Sequence, residues 1–119
     1  MPVRSLSSSV VKWPDQSAVE RAFRRWAARV GAARGDVRRI GYFGSYARGD
    51  WGVGSDLDVN IIVESAPLPC ERRAVEWDLG ELPVPADVLV YTEDEWRRGA
   101  GGARLHEILD REGVWVFAR

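Results

Sequence analysis

Apolar side chains recur with helical spacing between residues 19 and 30. Val19, Ala22, Phe23, Trp26, Ala27 and Val30 share one face, while Arg21, Arg24, Arg25 and Arg29 lie mostly off it. The helix start fits either Pro14-Asp15 or a capping box from Ser17 to Glu20, and Gly31 and Gly35 punctuate its end. The period then changes. Val37–Phe43 reads as a strand, and a Gly/Asp-rich segment from Gly44 to Ser55 separates it from a second, Asp56–Val63. In that second strand Leu57, Val59, Ile61 and Val63 point one way, and Asp56, Asp58 and Asn60 point the other.

Pro67 and Pro69 break the chain, and Cys70–Leu79 reads as a short helix. A third strand spans about Val84–Tyr91. Thr92 and Glu95 form a capping box that opens a short helix, which Gly99, Gly101 and Gly102 end. Leu105, Ile108 and Leu109 mark a last helix stopped by Gly113, and Val114–Phe117 is a final strand. This order predicts an α/β (α+β) fold, with a small mixed β-sheet of about four strands and helices packed on it. Residues 1–119 are expected to form a single domain, with residues 1–12 as a loose arm or an edge strand.

Composition narrows the function classes. The 119 residues are 45% hydrophobic and 29% charged, which suits an ordinary globular chain and argues against disorder. Net charge is −1, so no basic field drives general nucleic-acid binding, and no direct nucleic-acid contact is expected. A single cysteine, Cys70, excludes an internal disulfide framework and is read as inert. No apolar run approaches the ~20 residues needed to span a bilayer, and the serine-rich start lacks the apolar core of a secretory signal. A cytoplasmic setting without membrane contact is therefore the expectation.

The segment from Phe43 to Val63 carries the chemistry. Gly44-Ser45 follows a strand and opens a short helix. There the glycine lets the backbone approach a ligand, and free N–H groups can take phosphate oxygens. Asp56 and Asp58 share one strand face with Cα atoms roughly 6.6 Å apart. Carboxylates so placed repel, and a hard divalent cation between them offsets that repulsion. A phosphate cradle beside paired carboxylates is equipment for metal-assisted phosphoryl transfer.

This segment resembles the minimal nucleotidyltransferases, small members of the DNA polymerase β-like superfamily. Their signature is G-S-x-A-R-G, a spacer, then S-D-x-D. Gly44, Ser45, Ala47, Arg48, Gly49, Ser55, Asp56 and Asp58 all match it. The family places a third carboxylate on a later strand, where this chain has Asp87.

The resemblance implies transfer of a nucleoside monophosphate, AMP from ATP, to an acceptor hydroxyl with release of pyrophosphate. Gly44 and Ser45 would hold the triphosphate, with Arg48 and Ser55 among the nucleotide contacts. Asp56, Asp58 and Asp87 would be the catalytic and metal-binding residues for two Mg²⁺ ions, with Mn²⁺ also acceptable. Arg48 has a second reading, in which it pairs with Asp50 or another carboxylate to hold the loop. Asn60, on the aspartates' face, reads as a satisfied sheet amide, and Tyr46 and Trp51 as packing around the loop rather than stacking on a base. His106 reads as a surface or packing residue.

The chain has the length of a catalytic core alone, so the acceptor would come from another chain. Members of this size are paired with a small HEPN-domain protein in toxin–antitoxin systems, where the nucleotidyltransferase is the antitoxin. A hetero-oligomer with a HEPN partner is therefore implied. Two alternatives stand beside it, a subunit acting on a small molecule and a non-enzymatic partner that neutralises by contact.

Overall fold

The computed structural model describes residues 13–119, so the arm expected over residues 1–12 lies outside the described residues. Helix α1 spans Gln16–Ala33, and its N-cap is Asp15, whose carboxylate accepts the Ala18 N–H at 2.8 Å. The capping box at Ser17 is not used. Val19, Phe23, Trp26, Ala27 and Gly31 form the buried face. Gly31 does not stop the helix. It lies inside it because the Phe117 ring packs where a Cβ would stand.

Strands β1 (Val37–Phe43), β2 (Leu57–Val63), β3 (Ala86–Thr92) and β4 (Val114–Ala118) form one sheet in the order β3-β2-β1-β4. β1 runs antiparallel to both β2 and β4, and β2 runs parallel to β3, so the sheet is mixed and the fold is α+β. Leu57, Val59, Ile61 and Val63 are all at most 1% exposed and join the α1 face in the core. That is the face the strand's alternation predicted. It leaves Asp58, Asn60 and Ile62 on the opposite face.

Between β1 and β2 sits α2, a single turn over Ser45–Arg48. Between β2 and β3 the chain forms a 3-10 helix over Cys70–Glu76, shorter and tighter than the helix expected there. Arg73 is the reason this crossover is fixed. The residue is 5% exposed, and its guanidinium donates to the Leu68 and Val90 carbonyls and to both oxygens of Glu95. Glu95 belongs to α3 (Glu93–Arg97), which the Thr92/Glu95 capping box opens as expected. Its carboxyl is held down to about 2, chiefly by the hydrogen bonds from Arg73. Helix α4 (Gly102–Glu112) follows and leads through Gly113 directly into β4. No helix of the described residues is long and apolar enough to cross a membrane.

Candidate active site

The sheet register sets the site. Asp58 pairs with Asp87 across the parallel β2–β3 ladder and with Phe43 across the antiparallel β1–β2 ladder. Adjacent strands lie about 4.8 Å apart, so two carboxylates stand side by side on one face. Asp56 is two positions back, just before β2, and projects to the same side. The Asp58 carboxyl is pushed above its ordinary range, first by burial, then by the charge of Asp87 and then by that of Asp56; Arg48 opposes the shift.

Gly44 closes the other side. It sits one residue beyond Phe43, the β1 partner of Asp58, with φ +81° and ψ −152°, a region open essentially to glycine alone. A Cβ at Gly44 would overlap the Asp58 carboxylate. The turn that opens α2 therefore lies directly against the carboxylate row. The Ala47 and Arg48 N–H groups donate to the Gly44 carbonyl, so the opening donors of α2 are the N–H groups of Ser45 and Tyr46. Ser45 contributes its carbonyl to the Gly49 and Asp50 N–H groups.

The remaining signature residues hold the loop together. Arg48 Nε donates to Asp50 at 3.0 Å, and its Nη1 donates to Glu112 at 3.0 Å. Ser55 Oγ accepts the Gly52 N–H at 2.8 Å and closes the turn before β2. Tyr46 is 1% exposed and stacks on Trp51 with ring centroids 5.6 Å apart, and its hydroxyl accepts the Trp13 indole N–H at 2.9 Å. Both rings are thus committed to packing under the loop.

Asn60 differs from expectation. It is fully buried, and neither its amide nitrogen nor its amide oxygen has a hydrogen-bond partner. Its neighbours across the sheet are Gly41 and Leu89, so neither directly paired residue offers a polar side chain. A buried amide without a protein partner costs folding free energy. Asn60→Leu is expected to stabilise the protein by about 1–2 kcal/mol, read as a higher denaturant midpoint with an unchanged slope. A lowered midpoint would mean that an ordered water satisfies the amide.

The donor set suits a hard divalent cation, since Asp56, Asp58 and Asp87 offer only oxygen. Among the described residues, however, no three acidic, histidine or cysteine side chains already converge on one metal position. The fit rests on the register and on the repulsion felt at Asp58, a penalty that a bound cation offsets.

A mixed four-stranded sheet with this helix arrangement has the architecture of the polymerase β-like nucleotidyltransferases. The chain belongs to the nucleotidyltransferase domain family, whose profile matches residues 24–112. Among solved structures it is similar to a candidate nucleotidyltransferase from Sulfolobus solfataricus, with a TM-score of 0.61 at 19% identity over 87% of this chain and 84% of that one. It is also similar to a chain of a toxin–antitoxin complex solved with AMP-PNP, with a TM-score of 0.53 at 16% identity over 81% of this chain and 73% of that one. At these identities the likeness is one of fold. No curated protein matches the chain in sequence.

One residue of this region was invisible to motif reasoning. Glu112, the last residue of α4, accepts both from Arg48 and from the Gly44 N–H, the latter at 3.3 Å. Nothing in the local sequence marks it, because its partners lie more than sixty residues away.

Proposed function

We propose that this chain transfers AMP from ATP to a hydroxyl of a partner protein, and that it is the antitoxin of a pair whose toxin carries a HEPN domain. The observation that carries nucleotidyl transfer is the Asp58–Asp87 register beside Gly44, in a chain of the nucleotidyltransferase domain family. The fold likeness to a toxin–antitoxin complex solved with AMP-PNP supports a protein partner and an adenine nucleotide. The HEPN assignment rests on the resemblance to the minimal nucleotidyltransferases that residues 44–58 carry.

In this reading the Gly44-Ser45 turn orients the triphosphate, with the Ser45 hydroxyl and the opening N–H groups of α2 as donors. Arg48 and Ser55 fix the loop that carries them. Asp56, Asp58 and Asp87 would hold divalent cations, Mg²⁺ or Mn²⁺, which when bound neutralise triphosphate charge and acidify the acceptor hydroxyl. Asp87 takes the acceptor proton as the acceptor oxygen bonds to the α-phosphorus. The bond from that phosphorus to pyrophosphate breaks in line, and pyrophosphate leaves with the electron pair.

The test mixes this protein, the product of the neighbouring gene, Mg²⁺ and α-labelled ATP. Intact mass should show one or more AMP units on the partner, absent with Asp56→Ala/Asp58→Ala. Tight binding of the two proteins without transfer from any of the four nucleotides would overturn the catalytic reading and leave neutralisation by contact.

A further inference from the structure

Glu112 stands where the sheet's own register must put it. Tyr42 pairs with Val114 in the antiparallel β1–β4 ladder, so the positions two further along β1 and two earlier before β4 are Gly44 and Glu112. Gly113 makes the direct entry into β4 possible, since a Cβ there would press on the Leu109 backbone. The Glu112 side chain is only 15% exposed. Its Oε2 accepts from Gly44 N–H at 3.3 Å and from Arg48 Nη1 at 3.0 Å. Arg48 is in turn tied to Asp50. One carboxylate thus joins the two ends of the α2 turn, and that turn is the one packed against Asp58.

We propose that Glu112 is a positioning residue of the nucleotide loop, fixing Gly44 and Arg48 so that the Ser45 end of α2 faces the triphosphate. The purpose of this brace rests on the nucleotidyl-transfer reading above; the brace itself does not. Gly44 occupies a conformation that costs most side chains strain and needs surrounding contacts to persist. Glu112 supplies such a contact from the far end of the chain, through charge-assisted bonds stronger than neutral ones. A carboxylate this close to a triphosphate site repels the substrate, so its presence calls for a compensating role. Holding Arg48 at the loop supplies one, because the guanidinium neutralises Glu112 and also acts on Asp58.

The experiment compares the wild type, Glu112→Ala and Glu112→Gln. Amide exchange at Gly44 is followed in the nucleotide-free proteins, and Mg²⁺·AMP-PNP binding is followed by calorimetry. Glu112→Ala should exchange Gly44 about tenfold faster and bind AMP-PNP about tenfold more weakly. Glu112→Gln, which keeps an accepting oxygen but not the charge, should recover part of both losses, and a general loss of fold would not be recovered in this way. Unchanged or tighter AMP-PNP binding by Glu112→Ala with a native circular dichroism spectrum would overturn the inference and make Glu112 a competitor of the phosphates. If the wild type binds no AMP-PNP, the functional reading fails. Gly44 exchange then still decides the brace, with an unchanged rate in Glu112→Ala counting against it.

Discussion

Asp58→Asn should abolish nucleotidyl transfer and at the same time stabilise the fold. The carboxyl of Asp58 is raised by burial and by the charges of Asp87 and Asp56. A raised native carboxyl means that the folded protein binds a proton more readily than the unfolded chain does. Folding stability therefore falls as pH climbs from the ordinary value near 3.8 through the raised one, and the loss is complete at neutral pH. Asparagine keeps the shape and removes the charge. Its gain should appear at neutral pH in a metal chelator, as a thermal midpoint a few degrees higher, and should vanish below the ordinary carboxylate range. Transfer should fall by about a thousandfold or more, because several kcal/mol of charge stabilisation leave with one cation ligand and each 1.36 kcal/mol is tenfold in rate. A variant that is inactive but less stable at neutral pH would show that Asp58 is a structural residue.

The same pattern marks Asn60, two residues beyond Asp58 on the same face of β2. Both residues sit on the sheet face that carries the candidate site, and both are held at a cost to folding: one as a crowded charge, the other as an unpaired amide. Costs of this kind concentrate where function sets the residue rather than packing. The opposite face of β2 shows none of it, since Leu57, Val59, Ile61 and Val63 simply fill the core.

How much of this was legible depends on the range of the interaction. The alternation in β2 assigned both faces correctly, because period two is a property of the strand alone. The Thr92/Glu95 capping box was equally local. The side-by-side placement of Asp58 and Asp87 was legible only as two strands, because their relative register is fixed through the crossover. There Pro85 O accepts the Leu57 N–H at 2.8 Å and Arg73 clamps the 3-10 helix to β3. Half of the Arg48 bonding was readable, since Asp50 is two residues away, while Glu112 required the β1–β4 pairing. Gly31 was misread as a stop because its neighbour Phe117 belongs to the last strand. The tryptophans divide similarly: Trp26 and Trp77 are buried, whereas Trp96 lies against His106 and Trp115 lies under Arg39. No local spacing announces those contacts.

Gly44→Ala is the second large effect, and its two causes can be separated. The first is conformational. At φ +81° and ψ −152° an alanine is strained by about 1–3 kcal/mol whatever surrounds it. The second is steric, because the new methyl overlaps the Asp58 carboxylate and one of the two must move. A shift of about 1 Å in a reacting group costs about a hundredfold, so transfer should fall by at least that factor, with folding weakened by about 2–4 kcal/mol in all. Asp58→Ala in the same chain removes the carboxylate that the methyl strikes. The double variant should then recover the steric share of the lost stability and retain the conformational share. Its midpoint should fall between those of Gly44→Ala and Asp58→Ala, with a coupling of about 1 kcal/mol or more. Strict additivity would mean that the turn relaxes away from β2 on its own. Gly44 would then be needed only for its backbone conformation, and the close approach of the loop to the carboxylate row would not be what its sequence position protects.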